Sequence, residues 1–310
     1  MITLEKALEV TGLSQSKAAE IANLSKTTIS LVIGRTYTNW QVKERQIIEA
    51  LVADGLLSKE AAELEKLTVP EDVLRVDPNK FIPTENTMQL DELANDLLDP
   101  ATTLNASIGL VYGHAGYGKT TAVKHYCATA DQAVYLLYIT GDTLPALVRQ
   151  ITKALGGQGM HSFEMNKEYI RTATCVYRKL LVVDEADRIP LRSLEALRGL
   201  NEYCELPMIL VGENALLGKM SALPRLESRI RNRPIEFRPM SEVDVQMFYY
   251  HAVGLDLAHN HAAVVRLLRI SHGDFRIFVN DAHRLVGIMN SNGLSEITKE
   301  VIDAVESSRT

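Results

Sequence analysis

Gly113-His114-Ala115-Gly116-Tyr117-Gly118-Lys119-Thr120 carries the spacing Gly-x4-Gly-Lys-Thr of a phosphate-binding P-loop. Glycines at these positions let the backbone curl so that successive amide N–H groups converge on an anion. A helix starting directly behind the loop adds the positive end of its dipole. In that geometry Lys119 reaches the β- and γ-phosphates of a nucleotide, Thr120 offers its hydroxyl to Mg²⁺, and Thr121 extends the cradle into the helix.

Hydrolysis needs a metal-holding carboxylate and a base besides. Leu180-Leu181-Val182-Val183-Asp184-Glu185 supplies both at the end of an apolar strand. Asp184 is expected to hold Mg²⁺, mostly through water, and Glu185 to orient or deprotonate the attacking water. Paired acids that merely cap the next helix are the plainer reading, and the P-loop upstream argues against it. Glu213 and Asn214 follow another apolar run, so one of them is expected to sense the γ-phosphate. Three arginines complete the set. Arg276, in Gly273-Asp274-Phe275-Arg276, is expected to reach back over the nucleotide from a C-terminal helix. Arg229, with Arg225 as its rival, is placed to act in trans on a neighbouring subunit's γ-phosphate.

These groups need a scaffold. Strand-like runs at 107–112, 133–139, 179–184, 207–212 and 234–238 alternate with helical stretches at 119–129, 143–155, 163–176 and 191–204. Such alternation predicts an α/β domain with a parallel sheet covered by helices. After Pro239 no strand signal returns, and 241–310 reads as a small helical lid. Pro70, Pro78 and Pro83 with little periodicity predict a linker over 67–90, so the nucleotide domain is expected at 91–240. Residues 1–66 read as short helices broken near Gly12, Asn23 and Gly34.

Within that N-terminal part, Gln15 to Gly34 fits a helix-turn-helix. Ala19 is small where two helices touch, and Asn23 stands where the turn favours a left-handed backbone. Ala18, Ala22, Leu24, Ile29 and Val32 fall on the buried side, and Ser25 caps the second helix. Lys26, Thr27, Thr28 and Ser30 then face outward, with Arg35 beyond, as donors for DNA phosphates and base edges. A helical protein-docking module is the alternative reading.

Composition sets bounds. The chain has 310 residues, 46% hydrophobic and 23% charged, with a net charge of −6. That excludes a protein coated in positive potential but not one with a local basic surface, and Arg225, Arg229, Arg231, Arg233 and Arg238 concentrate one. No run predicts a membrane span, and no leader-like segment opens the chain. Cys127, Cys175 and Cys204 fit neither a metal spacing nor a disulfide framework, so a reducing, cytoplasmic setting is expected.

In order and length this arrangement resembles the phage Mu transposition protein B family. The resemblance rests on Leu24-Ser-Lys-Thr-Thr-Ile-Ser30, Phe81-Ile-Pro-Thr-Glu-Asn-Thr87, the P-loop, Val182-Val-Asp-Glu-Ala-Asp187, Arg225-Leu-Glu-Ser-Arg-Ile230 and Gly273-Asp-Phe-Arg-Ile-Phe278. It implies an AAA+ P-loop NTPase with a parallel sheet and small helical lid, plus an N-terminal all-α helix-turn-helix domain. It implies ATP as the nucleotide, with Phe81, Thr84 and Asn86 flanking the adenine. It also implies the partners: double-stranded DNA, further copies of the chain in an ATP-dependent filament, and a transposase to which target DNA is delivered. The chain departs from the family at Gly212-Glu213-Asn214, where the family places Asn directly after Gly, and the lid diverges too. A helicase loader and a nucleotide-controlled transcription regulator are the competing readings.

Overall fold

Along Leu180–Asp184 every residue is apolar up to the terminal acid, and side chains of a strand alternate between faces. Leu181 and Val183 therefore enter one core, while Leu180 and Val182 enter another. A strand buried on both faces belongs in the middle of a parallel sheet covered by helices, and that is its place here. The computed structural model describes residues 3–33, 40–58, 73–78, 80–99, 101, 107–230 and 233–309. The chain divides into two compact units, Met1–Val73 and Leu74–Thr310.

In the second unit five parallel strands run β1 (Ile108–Tyr112), β2 (Ala133–Leu137), β3 (Leu180–Asp184), β4 (Met208–Gly212) and β5 (Ile235–Glu236). Their order across the sheet is β2-β3-β4-β1-β5. All the pairings are parallel, with Leu110 opposite Leu210 and Tyr135 opposite Val182. Five strands were expected and five form, each a little shorter than its apolar run. The helices between them fall close to the expected stretches. They are Lys119–Thr129, Leu144–Ala154, Phe163–Val176 and Leu191–Cys204. The last three cover the face of Leu181 and Val183. The first covers the opposite face together with a helix spanning Glu85–Leu98.

That Glu85–Leu98 helix corrects the linker expectation, because the 90/91 boundary falls inside it. Its first turn, Glu85-Asn86-Thr87, is polar and hides the stripe Leu90, Leu93, Ala94 and Leu97 that follows. Thr84 and Thr87 close a reciprocal capping box, and both are buried. Leu74 exchanges backbone hydrogen bonds with the Asn290 side chain, at 3.0 and 2.8 Å. Val76 and Ile82 belong to the lid core. Part of the expected linker is thus built into the second unit. Beyond β5, the lid consists of helices Glu242–Phe248, His261–Ser271, Phe275–Ser291 and Lys299–Ser307. Its centre is an aromatic trio, Phe248, Tyr249 and Phe278, meeting edge to face with centroids 5.0 to 5.7 Å apart.

The first unit packs helices Leu4–Thr11, Gln15–Ile21, Lys26–Ile33 and Trp40–Ala53. Thr3, Ser14 and Ser25 each accept a backbone N–H at a helix start. Asn23 adopts φ 52°, the left-handed turn expected between the second and third helices. Ala18, Ala19, Ile29 and Val32 are buried, and Ala22 and Leu24 pack partly against them.

Candidate nucleotide site

The P-loop links β1 to the Lys119–Thr129 helix, at the carboxyl end of the sheet where open α/β folds bind ligands. Gly116 and Gly118 both hold φ 84°, a conformation costly for a residue with a Cβ. At Gly116 a second constraint applies, since an added Cβ would run into the Asp274 carboxylate. Lys119 is buried and its ammonium donates to the carbonyls of Gly113 and His114, at 2.6 and 2.8 Å. Burial pulls its pKa down, opposed by the charges of Glu213, Asp184, Asp187 and Glu185. A desolvated cation held by its own loop's carbonyls, with orphan helix N–H groups alongside, fits a phosphate chain.

Asp184 ends β3 with 2% of its surface exposed. The backbone N–H of Glu185 donates to its Oδ1 at 2.9 Å, and the Tyr135 hydroxyl donates to its Oδ2 at 3.0 Å. Glu185 itself sits at φ 59°, strained for a non-glycine residue, and its carboxylate pairs with Arg188 at 2.8 Å. Asp187 accepts the Glu213 N–H at 3.1 Å. Gly212 leaves room for that contact, since a Cβ there would lie 2.6 Å from the Asp187 carboxylate.

The lid closes the remaining side. Asp274 caps the Phe275–Ser291 helix, accepting from the N–H groups of Arg276 and Ile277 at 2.7 and 3.1 Å. The Phe275 N–H donates to the Gly116 carbonyl at 2.9 Å, tying that helix directly to the P-loop. One cavity of about 490 Å³ results. Ala115, Gly116, Tyr117, Gly118, Lys119, Thr120, Thr121, Asp184, Glu185 and Glu213 form its polar wall. Phe81, Thr84 and Arg276 also line it, with Val76, Ile82, Phe248 and Val279. Thr120 and Asp184, two hard oxygen donors on one wall, suit Mg²⁺.

Several expected residues stand elsewhere. Asn86 is spent on the backbone of Arg238, donating to its carbonyl at 2.9 Å and accepting its N–H at 3.1 Å, so it does not face the cavity. Thr84, on the cavity wall, also caps the Glu85–Leu98 helix. Phe81 is on the cavity wall too, with its ring stacked on His125 at 3.5 Å between centroids. Asn214 points to the P-loop, its amide 3.2 Å from the His114 ring, whereas Glu213 lies on the cavity wall. Arg225 and Arg229 lie off that wall. Arg229 pairs with Glu202 at 2.8 Å, and its carbonyl accepts the N–H of Ile108, at the start of β1 and so at the end of the sheet away from the P-loop. In the first unit Lys26, Thr27 and Ser30 are exposed as expected. Thr28 is half-buried, with its hydroxyl 2.9 Å from Ser25 Oγ in the helix cap. Arg35 and Arg231 lie outside the described residues. Tyr135, Asn280 and His283 are further groups at the site that motif spacing does not mark.

A P-loop on β1, acids on β3, a five-stranded parallel sheet and a helical lid define the AAA+ P-loop fold. Residues 102–220 match the family model of an AAA domain. The chain is 30% identical over 139 residues to a potential ATP-binding protein of Staphylococcus aureus, covering 43% of this chain and 51% of that protein. It is 26% identical over 167 residues to the ATP-dependent target DNA activator B of Escherichia phage Mu, covering 51% of each. The chain thus spans about half the length of the curated relatives it matches. Among solved structures, the ORC2 protein of Aeropyrum pernix, in ADPNP and ADP complexes, superposes with a TM-score of 0.56 at 16% identity. That overlap covers 74% of this chain and 70% of the other. The likeness to the phage Mu transposition protein B family therefore has support over half of the chain. Among the described residues no helix is long and apolar enough to cross a membrane.

Proposed function

We propose that this protein is an ATPase that binds double-stranded DNA in its ATP-bound state, assembles there with further copies of itself, and delivers that DNA as the target of a transposase. The convergence of Lys119, Thr120, Asp184 and Glu185 on one cavity roofed by the lid helix of Arg276 carries the ATPase part. The likeness to the phage Mu activator supports the DNA and transposase parts.

In this reading Lys119 leaves its loop carbonyls for the β- and γ-phosphates, exchanging neutral acceptors for charged ones. Bound Mg²⁺ neutralises charge on the phosphates, and Thr120 and Asp184 are the residues that hold it. Glu185 turns from Arg188 to orient the attacking water. Arg276 contacts the phosphates from the lid, and because Phe275 is bonded to Gly116, loop and lid move together. Arg229 or Arg225 reaches the nucleotide of a neighbouring copy, so hydrolysis follows assembly and releases the DNA. Lys26, Thr27 and Ser30 contribute DNA contacts, with so few cations that this unit's share of the binding is weak and changes little with salt. The test is co-sedimentation with plasmid DNA in ATP, ADP and a non-hydrolysable analogue. Retention is expected with ATP and the analogue only, and equal retention in all three sinks the switch.

A further inference from the structure

Tyr135 has no part in any P-loop motif, yet its hydroxyl donates to Asp184 Oδ2 at 3.0 Å. Sheet register explains the meeting. β2 lies beside β3, Tyr135 stands opposite Val182, and its ring reaches along the sheet to the acid two residues further on. The other carboxylate oxygen is already taken by the Glu185 N–H at 2.9 Å. Both oxygens of a nearly buried carboxylate are thus fixed from two directions. The ring is held in turn, with the Lys124 ammonium from the P-loop helix lying 5.3 Å from its centroid.

We infer that Tyr135 is a positioning residue for the metal-holding carboxylate, fixing the orientation in which Asp184 meets magnesium beside Thr120. This rests on the proposed ATP–magnesium reading of the same cavity. Outer partners of metal-holding carboxylates orient them and tune affinity, and their loss costs roughly tenfold or more in metal binding. Phenylalanine at this position keeps the ring and its packing and removes only the hydroxyl.

The experiment titrates a fluorescent ATP analogue against full-length wild-type, Tyr135→Phe and Lys124→Ala proteins, first in EDTA and then over a range of MgCl₂. Tyr135→Phe is expected to bind the analogue in EDTA as wild type does and to need about tenfold more magnesium for the same gain in affinity. Lys124→Ala, which keeps the hydroxyl but frees one face of the ring, is expected to give a magnesium curve between those of wild type and Tyr135→Phe. Coincident magnesium curves for Tyr135→Phe and wild type overturn the inference. So does an equal loss by Tyr135→Phe in EDTA and in magnesium, which marks a purely structural role. Wild-type protein whose analogue binding ignores magnesium overturns the reading of the cavity itself, a result distinguishable from the other two.

Discussion

The two walls of the cavity are built in opposite ways. The polar wall comes from the ends of neighbouring parallel strands: the loop after β1, the acids closing β3 and Glu213 after β4. Each contribution is a short contiguous motif, and strand pairing alone brings the motifs together. The apolar wall comes from Val76, Phe81, Ile82, Phe248 and Val279, segments far apart in sequence that meet only because the lid core forms. Chemistry on the first wall is therefore fixed by a sheet buried on both faces. Enclosure on the second depends on a small helical core bonded to the P-loop through Phe275 and Gly116.

The sharpest way to separate the walls is Glu185→Gln. Turnover should fall by about 10²–10⁴-fold, the usual worth of a positioned general base. ATP affinity should stay within about threefold, since the group acts chiefly in the transition state. Single-turnover assays beside nucleotide titration decide it, and a parallel loss of affinity would mean that the acids also bind ground-state nucleotide. Phe278→Ala strikes the other wall. Removing one ring of the buried trio should cost about 3–5 kcal/mol of stability, read from urea unfolding. Nucleotide affinity should fall with it, and undiminished affinity would make the lid dispensable for binding.

Asn86→Ala is a milder break. It removes both hydrogen bonds to the Arg238 backbone, which join the Glu85–Leu98 helix to the end of β5. About 1–2 kcal/mol should be lost, because two partly buried hydrogen bonds go with the side chain. An effect on adenine-over-guanine preference without loss of stability would instead restore Asn86 as a base contact. The smallest effect is chemical. Burial pushes the thiols of Cys127 and Cys204 up to about 12, whereas Cys175 is exposed. Thiolate being the nucleophile, native protein at pH 8 should take up iodoacetamide rapidly at Cys175 alone, as peptide mapping would report. Labelling of the two raised thiols should quicken only as pH climbs toward their pKa. Rapid labelling of Cys127 at pH 8 would argue that the helix behind the P-loop opens.

Legibility followed the same division. The P-loop, Asp184-Glu185 and all five strands could be read because each is local: a run of apolar residues, then the chemistry at its end. Asn23 was readable for the same reason, as a left-handed turn needs only a residue that tolerates it. Groups whose roles depend on distant partners were not. Asn86 reads as a base contact from its motif, whereas the Arg238 backbone claims its side chain. Tyr135 carries no motif, because its meeting with Asp184 requires β2 to lie beside β3, and spacing along a chain does not specify the neighbours of a parallel strand. The start of the Glu85–Leu98 helix reads as linker because Pro70, Pro78, Pro83 and a polar first turn precede its apolar stripe.

The central claim, that the cavity between the P-loop and the lid holds a magnesium nucleotide gripped by Lys119, is tested most directly by calorimetric titration of ATP into wild-type and Lys119→Ala proteins in magnesium. One site per chain is expected for the wild type. Loss of a charge-assisted contact of this kind predicts an affinity lower by about tenfold to a hundredfold in the variant. Undiminished ATP binding by Lys119→Ala would place the nucleotide somewhere else and contradict the account.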